Sequence, residues 1–250
     1  MCGLYRAVEI LGRNKEPIVT AFGQMLLAEY GPEVMDTVFE WTSLVYFGDR
    51  PEKAMMGHSK DGHPEECQVT VGIAQLAKLM GVPIGLTVMP GNTHDGRNMM
   101  ETFGQVKDDL TRGSTRIFDA GANNKTVLDA IVGDGKHYLT GKRFNKSDDT
   151  ILAGFSEDSW ECIDVEKGEY CFKKVFSSSF FAQAMTSVTR FLCELASSTA
   201  TKFITDAMQK LTLTVIRRKD GERRFVLSNF NPLNEAVIRC YGLFSEVPTV

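Results

Sequence analysis

Three runs of β-branched and aromatic residues follow one another between residues 36 and 92, with no helical stretch between them. They are "DTVFEWTSLVYF" (36–47), "CQVTVGIAQL" (67–76) and "VPIGLTVMPGN" (82–92). From residue 96 to 143 the pattern becomes an alternation. "GRNMMETFGQVKDDL" (96–110) has helical spacing, with Thr93 or Asp95 as its expected cap, and "STRIFDAG" (114–121) reads as a strand. "NKTVLDAIVGDG" (124–135) reads as a helix ended by glycine, and "KHYLTGKR" (136–143) as a fifth strand. Strands adjacent in sequence pair as an antiparallel meander, and the turn around Met80-Gly81 makes a hairpin of the second and third. Strands that alternate with helices lie parallel.

Three strands, a helix, a strand, a helix and a strand is the order of a ribonuclease-H-like mixed α/β sheet. At 250 residues and 43% hydrophobic content the chain fits one large domain, or one domain with an insertion. Residues 1–35 are expected to form a helical lead-in, broken at Asn14 or Pro17 and stopped by Gly31-Pro32. Residues 36–144 are the expected ribonuclease-H-like core, and 145–230 an inserted α/β subdomain. Within it "SWECIDVEKGEYCFKKVF" gives two short strands, 177–210 a helical stretch, and "LTLTVIRRKDGERRFVLSNF" a hairpin around Asp220-Gly221. Residues 231–250 open a last helix that is expected to be truncated.

Charge and cysteine usage narrow the class. A formal net charge of −4 argues against a uniformly basic nucleic-acid coat and leaves room for local basic patches. The six cysteines are scattered without a CxxC pair, so buried free thiols in a cytoplasmic protein are expected rather than a disulfide framework. The first residues mix charges into a helical pattern and lack the apolar core of a signal peptide. No apolar run approaches the ~20 residues of a membrane span, so no membrane partner is expected.

The acid in "RIFDAG" carries the chemistry. Asp119 stands where a buried strand gives way to a loop, and Gly121 lets the backbone turn there. In a ribonuclease-H-like sheet, acids converge from the first strand, the end of the fourth strand and a late helix. Together they can hold two Mg²⁺ ions about 4 Å apart, which serve attacking and leaving oxygens. A capping or loop aspartate is the bland alternative for Asp119.

The blocks "GHSKDGHPEECQVTVGI", "PIGLTVMPGNTHD", "RIFDAGANNKTVLDAI" and "HYLTGKR" come in order within residues 36–143. Together they resemble the DDE transposases of bacterial and archaeal insertion sequences, in the group with a β-rich insertion before the last catalytic helix. The upstream "LYRAVEILGRNKEPIVTAF" is similar to that family's lead-in. The resemblance implies Mg²⁺- or Mn²⁺-dependent cleavage of DNA at transposon ends, followed by strand transfer into target DNA. It implies three acids that both ligate metal and catalyse. The second maps onto Asp119. The first maps onto Glu40, two residues before a threonine, where the family carries aspartate. The third maps loosely onto Glu246, after Tyr241 in "YGLFSEV". Asp36 shares a strand face with Glu40 but lies four residues earlier, too far along the strand.

Several basic residues are candidates for DNA phosphate. Lys60 is the first, in a loop that also holds His58, Asp61 and His63; a solvated loop is the alternative. Lys142 and Arg143 end the fifth strand, and Arg217 and Arg218 sit in the charged hairpin "RRKDGERR". His94 is read either as facing the metal site or as part of a turn, and Trp41 and Trp160 as core or interface residues. "GDGK" (133–136) lacks the second glycine and the Ser/Thr of a P-loop. Three rivals stand beside an active transposase. One is an inactive truncated remnant that still binds DNA. Another is a general metal-dependent nuclease. The third is a regulator that dimerises with itself or with an intact transposase.

Overall fold

A computed structural model describes residues 2–31, 35–47, 52–59, 62–77, 81–154, 156–165, 168–176, 212–218, 221–233 and 237. The chain divides into two compact units, the first running to Lys136 and the second starting at His137.

The first unit opens with α1 (Cys2–Arg13) and α2 (Lys15–Tyr30). The break falls at Asn14, whose side-chain amide turns back to the Ile10 carbonyl at 2.8 Å. Pro17 is tolerated in the first turn of α2, where its missing N–H costs nothing. Gly31, at φ 73°, ends α2 and donates to the Leu27 carbonyl. The α1 side chains of Leu4, Tyr5, Val8 and Leu11 are exposed.

The sheet that follows is β1 (Thr37–Val45), β2 (Gln68–Leu76), β3 (Val82–Pro90) and β4 (Thr115–Phe118), in the spatial order β3-β2-β1-β4. β1 and β2 are antiparallel, from Thr37↔Leu76 to Val45↔Gln68, and β2 and β3 form the expected hairpin with Gly81 at φ 72°. β4 runs parallel to β1. A meander with a parallel fourth strand beside its first is the ribonuclease-H-like arrangement that the element order predicts.

Strand alternation sets what each face does. Thr37, Phe39, Trp41 and Ser43 of β1 are all buried. Over the first unit's sheet lies α3 (Asp95–Val106), with Phe103 edge-on to Phe39 at 6.2 Å between ring centroids. Gly72 lies in this layer because a Cβ there would meet the hydroxyls of Thr87 and Thr102 at 2.5 Å. Those two hydroxyls bond to each other at 2.8 Å. The cap of α3 is His94, not Thr93 or Asp95, and the helix stops at Val106, four residues short of the expected Leu110. A single 3-10 turn, Ala120–Ala122, leads from β4 to α4 (Lys125–Gly133), which Asn124 caps through the Val127 N–H.

Arg116 sits near the start of β4 with 0% exposure. Its guanidinium donates to the carbonyls of Met35 (2.9 Å) and Thr115 (3.1 Å) and to the hydroxyls of Thr37 (3.2 Å) and Ser114 (2.6 Å). Burial pushes its pKa down to about 10, against the pull of Asp36 and Asp134. Asp36 accepts from the Thr115 N–H at 2.9 Å, so it anchors the start of β4.

The second unit is an antiparallel sheet of β5 (His137–Lys142), β6 (Glu161–Val165), β7 (Gly168–Phe176), β8 (Thr212–Arg217) and β9 (Arg223–Ser228). The order is β5-β9-β8-β7-β6. The two short strands expected at 159–176 pair as the hairpin β6–β7, and the expected hairpin β8–β9 is present, with Gly221 at φ 88°. The last strand of the expected core therefore pairs with the last strand of the expected insertion, from Leu139↔Ser228 to Lys142↔Phe225. An unexpected helix, α5 (Lys146–Ala153), precedes β6. It starts with a reciprocal cap. Asn145 Oδ1 accepts from the Asp148 N–H at 3.2 Å, and Asp148 accepts from the Asn145 N–H at 2.8 Å. Leu152 and Trp160 pack on the buried cluster of Leu213, Val215 and Phe225. The helix expected over 177–210 lies outside the described residues, as does most of 231–250. Among the described residues no helix is long and apolar enough to cross a membrane.

Candidate active site

The parallel register of β1 and β4 runs Thr37↔Arg116, Val38↔Ile117, Phe39↔Phe118. Phe39 and Phe118 are both fully buried. The next residues along the chain are Glu40, still on β1, and Asp119, just past the end of β4. By alternation Glu40 falls on the face opposite Phe39. Glu40 is half-buried, Asp119 exposed. β4 ends at Phe118 while β1 continues to Val45, so Asp119 emerges where the parallel pairing stops. The end of a parallel strand is where open α/β sheets gather reactive groups. Asp119 also accepts from the Ala120 N–H at 2.6 Å, which caps the 3-10 turn and fixes its carboxylate. Of the two readings of Asp119, the turn cap is the one this bond shows.

Two glycine contacts hold the surrounding loops against the sheet. Gly121 is small because a Cβ there would collide with the Asp95 carboxylate, a more specific reason than freedom to turn. Gly96 makes the same allowance for the Asn124 amide. His94 is the α3 cap, its Nδ1 accepting from the Arg97 N–H at 3.3 Å, so that nitrogen is committed to the helix rather than aimed at a metal. On the other side, Met55 and Gln68 exchange backbone bonds of 3.0 Å each, and the Gly91 N–H reaches the Lys53 carbonyl at 3.3 Å. A Cβ on Gly91 would run into the carbonyls of Gln68 and Met55, and one on Gly57 into the Gly91 carbonyl. Backbone cannot give way as a side-chain tip can. Gly91→Ala is therefore expected to cost about 1–3 kcal/mol, read as a lowered urea midpoint at unchanged slope. A wild-type midpoint would show that the loop adjusts freely.

The remaining site candidates are scattered. Lys60 and Glu246 lie outside the described residues. Lys142, expected on DNA phosphate, is instead gripped by both carboxylate oxygens of Asp148, at 2.7 and 2.6 Å. The pair is 13% and 2% exposed, so a phosphate would have to displace a buried carboxylate. Arg143 beside it is exposed. Arg217 pairs with Glu157 at 2.8 Å and lies over the Trp160 ring, 4.5 Å from its centroid. Arg218 pairs with Glu222 at 3.2 Å, and Arg224 with the same carboxylate group. The acids of this hairpin offset much of the basic patch that its composition suggests. Exposed pairs of this kind are weak, so Arg217 and Arg218 can still exchange partners. Trp41 is a core residue at 6% exposure.

A divalent cation is the group that the resemblance implies. Glu40 on β1 and Asp119 just past β4 are oxygen donors, the donor type that Mg²⁺ takes, and Mg²⁺ often takes only one or two carboxylates alongside water and phosphate. Among the described residues no three His, Cys, Asp or Glu side chains come together as a metal cage. The chemistry of these two donors would suit a hard cation with an open coordination shell.

No family model matches this sequence, and no curated protein does. Among solved structures, the piggyBac transposase in a synaptic complex with hairpin DNA aligns with a TM-score of 0.48 at 12% sequence identity. The match covers 85% of this chain and 37% of that one, so the chain spans little more than a third of that transposase's length.

Proposed function

We propose that this chain carries the metal-dependent DNA strand cleavage and strand transfer of a DDE-type insertion-sequence transposase. Its partner is DNA, as transposon ends and target, and its metal-holding residues are Glu40 and Asp119, with Glu246 as the third acid. The observation that supports the reading is the β1–β4 register, whose last pair, Phe39↔Phe118, directly precedes the two acids that the sequence blocks single out. The resemblance of those blocks to insertion-sequence transposases supplies the reaction class. Mg²⁺ or Mn²⁺, when bound, lowers the pKa of water and stabilises charge on a phosphoryl oxygen. The protein's own work is positional. Pairing with Ile73 of β2 fixes the Glu40 backbone, and the Ala120 N–H fixes the Asp119 carboxylate. Lys60 and Arg143 are the proposed phosphate contacts, with Arg217 and Arg218 available once released by their acidic partners.

A second reading, a weakened or inactive transposase that still binds DNA or pairs with itself or an intact one, is favoured by Glu40. Glutamate extends its carboxylate by one carbon–carbon bond, about 1.5 Å, beyond the aspartate of the family. Misplacement on the order of 1 Å can cost about 100-fold in rate. Nicking of supercoiled plasmid with Mg²⁺ or Mn²⁺ tests both readings. Feeble nicking by the wild type, supported better by Mn²⁺, and a rise of about 100-fold on Glu40→Asp are expected if geometry is the defect. Brisk Mg²⁺-dependent nicking by the wild type would remove the second reading. No nicking by either protein with either metal would overturn the first.

A further inference from the structure

One row of side chains crosses three strands of the second unit. Cys162 of β6 pairs directly with Cys171 of β7, and Cys171 pairs directly with Arg217 of β8. Directly paired residues in antiparallel strands share a face and keep their Cα atoms about 4.5–5.5 Å apart. That lies inside the window of about 4.4–6.8 Å that a disulfide spans without moving backbone. The two sulfurs are 3.1 Å apart, about 1 Å beyond bonding distance. Both are free thiols, Cys162 exposed and Cys171 partly so, which corrects the expectation of buried thiols for this pair; Cys67 is buried as expected. The neighbourhood is held in place. Arg217 hydrogen-bonds to Glu157 and to the Cys171 sulfur, which together raise its pKa, and stacks on Trp160.

We propose that Cys162 and Cys171 are a reversible dithiol–disulfide site, oxidised by small-molecule disulfides such as glutathione disulfide. Cys162, the more exposed sulfur, gives up its proton and attacks one sulfur of the external disulfide. The external bond breaks and one small thiol leaves, carrying that proton. Cys171 then attacks the Cys162 sulfur of the mixed disulfide. The Cys162–Cys171 bond forms and the second small thiol leaves with the second proton. Two electrons pass from the protein sulfurs to the external disulfide, and a reducing thiol reverses both steps. The result ties β6, the edge strand of this sheet, to its only described neighbour. An edge strand is the part of a sheet most open to fraying and to mispairing. The inference does not depend on the proposed DNA chemistry.

The test equilibrates the full chain in glutathione buffers of rising disulfide fraction, blocks remaining thiols by alkylation, and reads thiol count and linkage by mass spectrometry. The wild type is expected to lose two of its six thiols in one step, with a peptide bridge linking residues 162 and 171. Cys162→Ser should lose this step. Cys171→Ser should halt at a single glutathione adduct on Cys162, because the sulfur proposed to displace it is gone. Melting curves of both reduced variants that match reduced wild type exclude misfolding as the cause. Six thiols persisting at the most oxidising ratio, adducts without a bridge in the wild type, or a bridge mapped to another pair would each overturn the proposal.

Discussion

Asp119→Asn is expected to abolish metal-supported nicking, a fall of about 1,000-fold or more measured in the Glu40→Asp background where the starting rate is highest. Asparagine keeps the size of the side chain, and its Oδ1 can still accept from the Ala120 N–H, now at 2.6 Å. What disappears is one negative charge from the proposed acidic set. The remaining carboxylates cannot hold a hard cation in the geometry that phosphoryl transfer needs. Because Asp119 is exposed, the change in stability should stay within about 0.5 kcal/mol. Loss of activity at unchanged stability separates a chemical role from a structural one. Mn²⁺ should raise the wild-type melting temperature by mass action and leave Asp119→Asn unmoved. Equal thermal shifts in both proteins, or nicking retained in the variant, would move the metal site away from Asp119.

The largest stability loss is expected at the other end of β4, from Arg116→Ala, at about 3–5 kcal/mol. Arg116 is wholly buried and makes four hydrogen bonds to groups from Met35, Thr37, Ser114 and Thr115. Truncation removes four hydrogen bonds from these groups, though the Met35 carbonyl keeps the Thr37 hydroxyl as a donor, and strips Asp36 and Asp134 of the charge that faces them. With its pKa at about 10, the guanidinium is still charged at neutral pH, so the site is built for a cation. Lysine retains the charge but offers one nitrogen where two are used, so Arg116→Lys should recover only part of the loss. Urea midpoints for the three proteins order the series. A midpoint for Arg116→Ala within error of wild type would mean that the buried charge costs as much as its bonds return.

The strands were legible in the sequence because each carries its own signal. Residues 36–47, 67–76 and 82–92 are rich in β-branched residues, and the described strands fall inside them, at 37–45, 68–76 and 82–90. The neighbours β1 and β4 followed from element order. The register that pairs Phe39 with Phe118, and so leads up to Glu40 and Asp119, is a contact between distant segments, and no local pattern encodes it. α5 was missed although Asn145 and Asp148 carry the spacing of a reciprocal cap, because the helix is only eight residues long and has little apolar periodicity. Lys142 was misjudged for the same reason, since its partner Asp148 belongs to that helix. His94 was weighed for a metal because its ring chemistry allows both roles; only its bond to the Arg97 N–H decides. The Cys162–Cys171 pair was invisible to a count of spacings, because a hairpin register rather than a CxxC motif brings the sulfurs together.

The separation of β1 from β4 along the chain sets an order of events in folding. The β1–β2–β3 meander closes through shorter connections, residues 46–67 and 77–81, whereas β4 meets β1 across 79 residues, as in the bond from the Thr115 N–H to Asp36. Closing the longer loop costs more chain entropy and yields fewer contacts, since β4 has only four residues to offer. The meander is therefore the early structure and the β1–β4 seam a late one. The same asymmetry holds in reverse, because a short strand at the end of a long loop is among the first to open. The acidic pair comes into being only when the seam closes and dissolves when it parts, while the meander persists.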